Sequence, residues 1–349
     1  MDYKDSSITG KFSDTEKENI FSEESSILLS SGYRMPIIGL GSSLVTDGGT
    51  LEASMTAAVE IGYRHFDTAF TYHNEKQIGN ALTKLMESGS VKREEIFVVS
   101  KLPQNGMKGE SVEYFCKKSL ENLGLDYIDL YLIHSPMATK RSKDDQEHVP
   151  FKDGLVDYEI VDLVDTWQAM ESLVNKGYVR SVGLSNFNSE QTKRVYDAAR
   201  IKPANLQVEC HTYFPQYELF DYCKKLNISM TAYCPLGCPH LQEFMLENNG
   251  MDLKAPTLLE NEVVAQIGRK YNKTPAQILL RYLVQRGIAV IPRSKNPKRL
   301  KENFEVFDFS LEDEDMNLLK SIQNGFRYVK LDYWKGMVDH PEYPYYIPF

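Results

Sequence analysis

A chain of 349 residues, 42% of them hydrophobic and 26% charged, is long enough to bury a sizeable core beneath a solvated surface. The formal net charge of −9 argues against a nucleic-acid-binding protein, because such proteins carry clustered basic residues. No apolar run approaches the roughly 18 residues of a membrane span. The N-terminus has neither the apolar stretch of a secretory signal nor the arginines of a mitochondrial transit peptide, so we expect a cytoplasmic protein.

The first 25 residues are rich in Ser, Asp, Glu and Lys, with only isolated apolar side chains. Such a segment buries too little surface to offset the entropy of ordering, which predicts a disordered N-terminal extension over residues 1–25. One folded domain is expected over residues 26–349. It begins with an apolar stretch, a Ser-Ser-Gly turn and a second apolar stretch, which together predict a small β-hairpin.

After the hairpin, short apolar strands alternate with segments of helical periodicity. Strands are predicted at residues 38–40, 64–67, 96–100, 128–133, 179–184, 206–209, 229–233 and 288–291. Helices are predicted at residues 52–61, 75–86, 111–123, 161–175, 190–199, 217–226 and 260–271. This alternation predicts parallel βαβ units, and eight strands are the number that closes a TIM barrel.

A doubly wound sheet is the competing α/β architecture, and it carries a glycine-rich turn after its first strand. Gly39 and Gly41 are present here, but no third glycine follows at the right offset and no helix begins there. The sequence therefore favours an α/β fold made of a single (β/α)8 TIM barrel, with an N-terminal β-hairpin and rim loops.

Polar side chains stand where the predicted strands end. In a closed parallel barrel these ends converge on one rim, which is where the active sites of barrel enzymes lie. The residues concerned are Asp67, Lys101, His134, Ser185, Asn186, Gln207, Glu209, Tyr233, Arg293 and Ser294. A solvated strand end explains any one of them but explains the whole set poorly.

Tyr72 follows Asp67 by five residues, whereas Lys101 and His134 end the next two strands. With the motifs around residues 183–187, 207–209, 233–237 and 291–294, this order and spacing resembles the aldo-keto reductase family. The resemblance covers the chain from about residue 26 to its end. It implies a monomeric, NADPH-dependent enzyme that reduces small-molecule aldehydes and ketones.

The residue types suit that chemistry, since reduction of a carbonyl needs a hydride at carbon and a proton at oxygen. An ammonium lowers the pKa of a nearby tyrosine below about 10, so Lys101 is expected to activate Tyr72 as the general acid. Asp67 is expected to pair with Lys101, and His134 to orient the carbonyl oxygen by a hydrogen bond. The resemblance assigns the same four roles.

The resemblance also implies the cofactor site. Ser185, Asn186 and Gln207 would hold the nicotinamide carboxamide, which is both donor and acceptor, and Tyr233 would stack on the ring. Taken alone, Ser185 and Asn186 also fit a helix N-cap, and Tyr233 fits barrel packing.

Four basic residues crowd the seven positions from Arg293 to Arg299, at the start of a predicted helix, which is a favourable phosphate site. By resemblance, Arg293, Ser294 and Arg299 would hold the 2′-phosphate of NADP, and Glu302 and Asn303 would face adenine. The family commonly has Lys at the position of Arg293. A solvated basic face is the alternative interpretation.

The five cysteines form an odd number without a regular framework, which suggests free thiols in a reducing compartment. Cys234 and Cys238, with His211 and His240, have a spacing that zinc tolerates. No second cysteine pair completes such a site, so no metal is predicted.

Three positions depart from the aldose-reducing branch of the family, which has large aromatic rings where this chain has Ser43, Pro103 and Ser135. Their loss should widen the mouth of the site and favour substrates bulkier than simple aldoses, such as large aldehydes, ketones or steroid-like molecules. His134 is glutamate in the branch that reduces steroid double bonds, so its presence favours carbonyl chemistry. The alternative function is a non-catalytic, NADPH-binding regulatory or structural protein of the same fold.

Overall fold

The computed structural model describes residues 25–347, and the predicted N-terminal extension lies outside this range except for its last residue. The described chain opens with an antiparallel hairpin of β1 (Ser26–Leu28) and β2 (Arg34–Pro36), as predicted. The Pro36 carbonyl lies 2.9 Å from Nδ1 of His65, at the amino end of a barrel strand. The hairpin therefore packs against the end of the barrel opposite the rim that carries the polar residues.

Eight parallel strands form the barrel, confirming the predicted fold class. They are β3 (Leu40–Gly41), β4 (His65–Asp67), β5 (Phe97–Leu102), β6 (Ile128–Ile133), β9 (Val179–Ser185), β10 (Asn205–Glu209), β11 (Ser229–Tyr233) and β12 (Ala289–Val290). Each pairs with the next, and a parallel bridge between Ile38 and Val290 joins the last strand to the first. At this seam a Cβ on Gly41 would lie 2.6 Å from the Ile291 carbonyl oxygen, so only glycine allows the strands to approach this closely.

Helices follow the strands and cover the outer face of the barrel. They are α1 (Gly48–Ile61), α2 (Glu75–Glu87), α3 (Gly109–Leu123), α4 (Leu163–Asn175), α5 (Ser189–Ala198), α6 (Tyr217–Lys225), α7 (Pro239–Asn249), α8 (Glu262–Tyr271), α9 (Pro275–Gln285), α10 (Pro297–Phe304) and α11 (Asp313–Ser321). Because one strand face meets the barrel interior and the other meets helices, every residue of β5 and β6 is buried. Among the described residues, no helix has the length and apolar character needed to cross a membrane.

Two rim segments lie over the carboxyl ends of the strands. The first is the long loop of residues 135–160, which contains a hairpin of β7 (Phe151–Lys152) and β8 (Leu155–Val156). The second is the C-terminal tail, residues 324–347, which follows α11. The two segments share a second hydrophobic cluster, formed by Met137, Val149, Val156, Leu331 and Met337. They pack against each other and so form one continuous cover.

Candidate active site

Lys101 lies at the centre of the site, inside the barrel near the carboxyl end of β5, and its side chain is fully buried. Its ammonium nitrogen Nζ lies 2.6 Å from Asp67 Oδ1, 2.8 Å from the Thr68 carbonyl oxygen and 3.4 Å from the Tyr72 hydroxyl. Three acceptors therefore use all three ammonium protons. Burial disfavours the charged form, but Asp67 and Tyr72 outweigh it, and the pKa of Lys101 is raised. The ammonium is thus fixed and charged beside the Tyr72 phenol.

Tyr72 ends a short 3-10 turn after β4 and is partly exposed at the rim. Burial of the phenol raises its pKa, whereas Lys101 and a hydrogen bond with Ser43 lower it. Lys101 lowers the pKa of Tyr72 as predicted, but burial is the larger effect and the net pKa is raised. The physical reason is that phenolate loses more solvation here than one neighbouring ammonium restores. Tyr72 consequently keeps its proton at neutral pH.

His134 faces Tyr72 from the end of β6, with the two rings edge to face and their centroids 5.6 Å apart. Its Nδ1 lies 3.2 Å from the Thr71 hydroxyl oxygen. Burial, Lys101 and His148 hold the pKa of His134 well below its usual value, so the ring is neutral at physiological pH. If the Thr71 hydroxyl donates to Nδ1, the ring proton resides on Nε2, which is then free to donate to a ligand.

The residues proposed for the carboxamide adjoin these four. Nε2 of Gln207 donates to Asp67 Oδ2 over 2.7 Å, so one carboxylate joins β5 and β10. Nδ2 of Asn186 donates to the His134 carbonyl over 2.8 Å and to the neighbouring Ser185 hydroxyl over 3.2 Å. Amides and a hydroxyl thus converge on the barrel interior, and this donor and acceptor set fits a carboxamide.

Tyr233 lies at the end of β11, and its hydroxyl donates to Asn186 Oδ1 over 2.7 Å. The Tyr345 hydroxyl of the tail donates to the same oxygen over 3.3 Å. Burial raises the pKa of Tyr233 well above its usual value and that of Tyr345 to about 12, so both phenols act as neutral donors. The tail therefore reaches the carboxamide side of the site, a contact that no sequence motif indicates.

The basic residues lie on the loop after β12 and on α10. Nη1 of Arg293 donates to the Ser43 carbonyl over 2.8 Å, which ties this loop to the start of the barrel. Arg299 is exposed, Glu302 lies 3.8 Å from Lys298, and Asn303 is buried. Two guanidinium groups beside a helix N-terminus fit a phosphate group.

Ser294 bonds within its own turn, since its hydroxyl accepts from the Asn296 N–H over 3.1 Å. The Asn296 side chain caps α10 by accepting from the N–H groups of Lys298 and Arg299. The amino end of α10 is therefore preformed, and the Ser294 hydroxyl lies beside it.

Three of the five cysteines, Cys116, Cys210 and Cys223, are buried free thiols. Cys234 and Cys238 lie close together in the loop between β11 and α7, where their Cα atoms are 4.9 Å apart. Over the described residues, no three His, Cys, Asp or Glu side chains group as a metal site.

Sequence reasoning missed several residues that shape the site. Asn74 is buried and donates to the Ser42 and Val45 carbonyls while accepting from the Thr68 hydroxyl, so it joins the loops after β3 and β4. Thr71 orients His134. Their nearness to Tyr72 in sequence was the available signal, but a hydrogen bond across the rim leaves no motif.

Of the three positions that lack the aromatic rings of the aldose-reducing branch, Pro103 and Ser135 are buried and Ser43 is partly exposed. Ser135 is buried, and its hydroxyl accepts from the Met137 N–H over 3.2 Å. The tail brings Tyr333 and Trp334 together, with ring centroids 4.6 Å apart, and Trp334 packs edge-on against His148. Tyr333 lies close enough to Tyr72 for the two phenols to interact electrostatically, so aromatic side chains of the tail border the mouth.

A (β/α)8 barrel with a buried Asp–Lys pair and a Tyr–His pair at its carboxyl rim defines the structural class of this protein. Residues 38–324 match the model of the aldo/keto reductase family. The chain belongs to this family, whose members are oxidoreductases that act on carbonyls and generally use a nicotinamide cofactor.

Relatives agree along nearly the whole chain. Aldo-keto reductase family 1 member A1-A of Danio rerio is 41% identical over 332 residues, covering 93% of this chain and 99% of the relative. Prostaglandin F synthase 1 of Bos taurus is 41% identical over 325 residues, covering 91% and 97%. The structure of the aldose reductase from Schistosoma japonicum superposes with a TM-score of 0.83 at 40% identity, covering 93% and 99%. The names of these relatives differ in substrate, so the family alone does not assign one.

Proposed function

We propose that this protein reduces aldehydes and ketones to alcohols with NADPH, using Tyr72 as the general acid. The observation that supports this most strongly is the donation from Lys101 to the Tyr72 oxygen over 3.4 Å, beside the neutral His134. Because Lys101 bonds to the phenol oxygen, the phenol proton is free to point to a substrate. A purely structural Asp67–Lys101 ion pair would not explain why the Tyr72 phenol contacts the ammonium on the side facing the rim.

In the proposed reaction the nicotinamide, when bound, supplies a hydride to the carbonyl carbon. His134 donates from Nε2 to the carbonyl oxygen and orients it. Tyr72 transfers its phenol proton to the same oxygen as charge develops there. Lys101 stabilises the phenolate that remains, and Asp67 keeps the ammonium in place and charged.

The cofactor side follows the same division of roles. We propose that Ser185, Asn186 and Gln207 hold the carboxamide and that Tyr233 stacks on the ring. Arg293, Ser294 and Arg299 would bind the 2′-phosphate that distinguishes NADPH from NADH. Glu302 and Asn303 would face adenine from α10. The exposure of Arg299 supports this assignment, because an incoming phosphate can reach its guanidinium without displacing a buried partner.

We further propose that the substrates are bulkier than simple aldoses, since small residues stand at positions 43, 103 and 135. Tyr333 and Trp334 would then give the mouth apolar walls suited to aromatic or polycyclic ketones. We expect a cytoplasmic monomer, as in the family resemblance.

Steady-state consumption of NADPH, and separately of NADH, tests this function. The panel contains aromatic aldehydes, aldoses, dicarbonyls and ketosteroids. We expect turnover with NADPH, highest for the bulky substrates. Turnover of small aldoses alone contradicts the substrate class. Tight NADPH binding without turnover on any carbonyl favours the regulatory or structural alternative.

A further inference from the structure

Glu209 is a buried carboxylate at the end of β10, two residues beyond Gln207. Its Oε1 accepts from the Tyr328 N–H over 2.6 Å and from Nε2 of His211 over 2.9 Å. Its Oε2 accepts from the Val329 N–H over 2.7 Å. A buried carboxylate requires such donors, because burial without them is strongly unfavourable.

His211 is the side-chain donor to this carboxylate. Its Nδ1 accepts from the Phe214 N–H over 3.2 Å, which leaves the ring proton on Nε2 for Glu209. The other two donors to the carboxylate are backbone N–H groups of the tail. Glu209 and the tail are joined through charge-assisted bonds to consecutive N–H groups.

The residues that Glu209 holds are the root of the C-terminal tail. The N–H groups of Asn324 and Gly325 both donate to the Tyr213 carbonyl, so the loop after β10 holds the preceding turn as well. Tyr333 lies only four positions after Val329, a reach of at most about 14 Å. A shift at the root is therefore transmitted directly to the aromatic side chains at the mouth.

Beyond the root, the tail contacts both sides of the site. Trp334 packs against His148 of the long loop, and the Lys335 carbonyl accepts from the Val156 N–H over 2.9 Å. Arg327 stacks on the ring of Tyr345, which reaches Asn186. The strand that carries the cofactor-side Gln207 is thus joined through Glu209 to the segment that carries Tyr333 and Trp334.

We propose that Glu209 is a positioning residue that fixes the C-terminal tail over the mouth of the site, and thereby governs the affinity for bulky carbonyl substrates. Its influence on substrates rests on the proposed function, whereas its hold on the tail does not. Loss of the carboxylate leaves the strand, the cofactor residues and Tyr72 in place, but the tail occupies its closed position for a smaller fraction of the time.

The test uses Glu209→Gln, which preserves shape but sets an amide NH2 group against a backbone N–H. Glu171→Gln is the matched control, since Glu171 is also buried and accepts from two consecutive backbone N–H groups, those of Arg200 and Ile201. Both variants are compared with the wild-type full-length chain, and thermal unfolding verifies that each is folded.

Tryptophan fluorescence reports the tail without any need for activity. The chain has two tryptophans, of which Trp167 is 1% exposed and Trp334 is partly exposed. Acrylamide quenching, with a Trp334→Phe subtraction in each background, isolates the tail signal. We expect stronger quenching of Trp334 in Glu209→Gln and no change in Glu171→Gln. Equal quenching of Trp334 in all three chains overturns the proposal.

Kinetics provides the second measurement. If the tail is closed only a tenth of the time, KM for a bulky ketone rises about tenfold, with kcat unchanged. A uniform fall in kcat for every substrate, with unaltered quenching, contradicts a positioning role. If the wild-type chain turns over nothing, the proposed function fails, and the fluorescence result still decides whether Glu209 holds the tail.

Discussion

The ammonium of Lys101 lies 2.6 Å from the carboxylate of Asp67, and neither side chain exposes more than 2% of its surface. A buried ion pair is weak evidence for stability, because desolvation of the two charges offsets much of their attraction. The position of the Asp67–Lys101 pair explains its presence better than stability does, since the same ammonium contacts the Tyr72 phenol. The pair therefore serves to hold a fixed positive charge at the acid group.

Asp67→Asn should destabilise the fold, because it leaves the Lys101 ammonium buried without a counter-charge. Breaking such a pair from one side costs about 3–5 kcal/mol. Urea denaturation at pH 7 measures the loss. The double variant Asp67→Asn/Lys101→Met removes both charges and should recover most of the stability. An Asp67→Asn chain as stable as the wild type contradicts the buried pair.

Stability should also fall at high pH through Lys101. Its folded pKa is raised by Asp67 and Tyr72 against the opposing effect of burial. This contribution to stability is fully present below the unfolded lysine value of about 10.4 and is lost as pH rises through the folded pKa. Denaturation of the wild type and of Lys101→Met at pH 8 and pH 11 measures it. The difference between the two chains should shrink at the higher pH.

The rate of reduction should stay level across neutral pH. The pKa of His134 is held well below its usual value and the pKa of Tyr72 lies above its own, so neither group titrates between them. A profile of kcat/KM from pH 6 to pH 9 checks this, because the range includes the ordinary histidine pKa of about 6.5 and stays below the ordinary tyrosine pKa of about 10. A midpoint near pH 6.5 would show a titrating His134 and contradict the neutral ring.

Arg299→Ala should weaken NADPH binding and leave NADH binding unchanged. A hydrogen bond to a charged group contributes about 1.5–3 kcal/mol, which corresponds to about 10- to 100-fold in the dissociation constant. Lys301→Ala is the matched control, an exposed basic residue on the same helix. Titration followed by protein fluorescence measures both cofactors. Equal effects of the two variants would show a diffuse charge effect rather than a phosphate contact.

Ser43→Trp tests the size of the mouth. The new ring should restrict bulky ketones while small aldehydes retain most of their kcat/KM. Ser43→Ala is the control, because it removes the hydrogen bond to Tyr72 without adding volume. Comparison of kcat/KM across a size series separates the two effects. Unchanged selectivity in Ser43→Trp means that the tail rings alone set the opening.

The barrel was predictable because alternation of strands and helices is a strong local pattern, and all eight strands appear near their expected positions. Helices α7, α9 and α11 were missed. The start of α9 is marked by Thr274, Pro275 and Gln277, which form a capping box with proline in the first turn. Hydrophobic periodicity does not detect this kind of signal.

The sequence indicated which residues lie together at the candidate site, but it did not indicate their pKa values. Residues at strand ends meet in a barrel, so Asp67, Lys101 and His134 could be placed together from their spacing. The net pKa of Tyr72 could not be predicted from the sequence. It depends on how deeply the phenol is buried, and that burial is produced by segments distant in the chain. The Glu209 contact with residues 328 and 329 spans more than a hundred positions and has no local signature.

Substitution of Tyr72 by phenylalanine tests the proposed chemistry most directly, with NADPH consumption and NADPH binding measured on the same preparation. General acid catalysis contributes about 10²- to 10⁴-fold, so consumption should fall by that factor while binding is retained. A Tyr72→Phe variant that keeps the wild-type rate on a good substrate contradicts the account, because another group must then supply the proton.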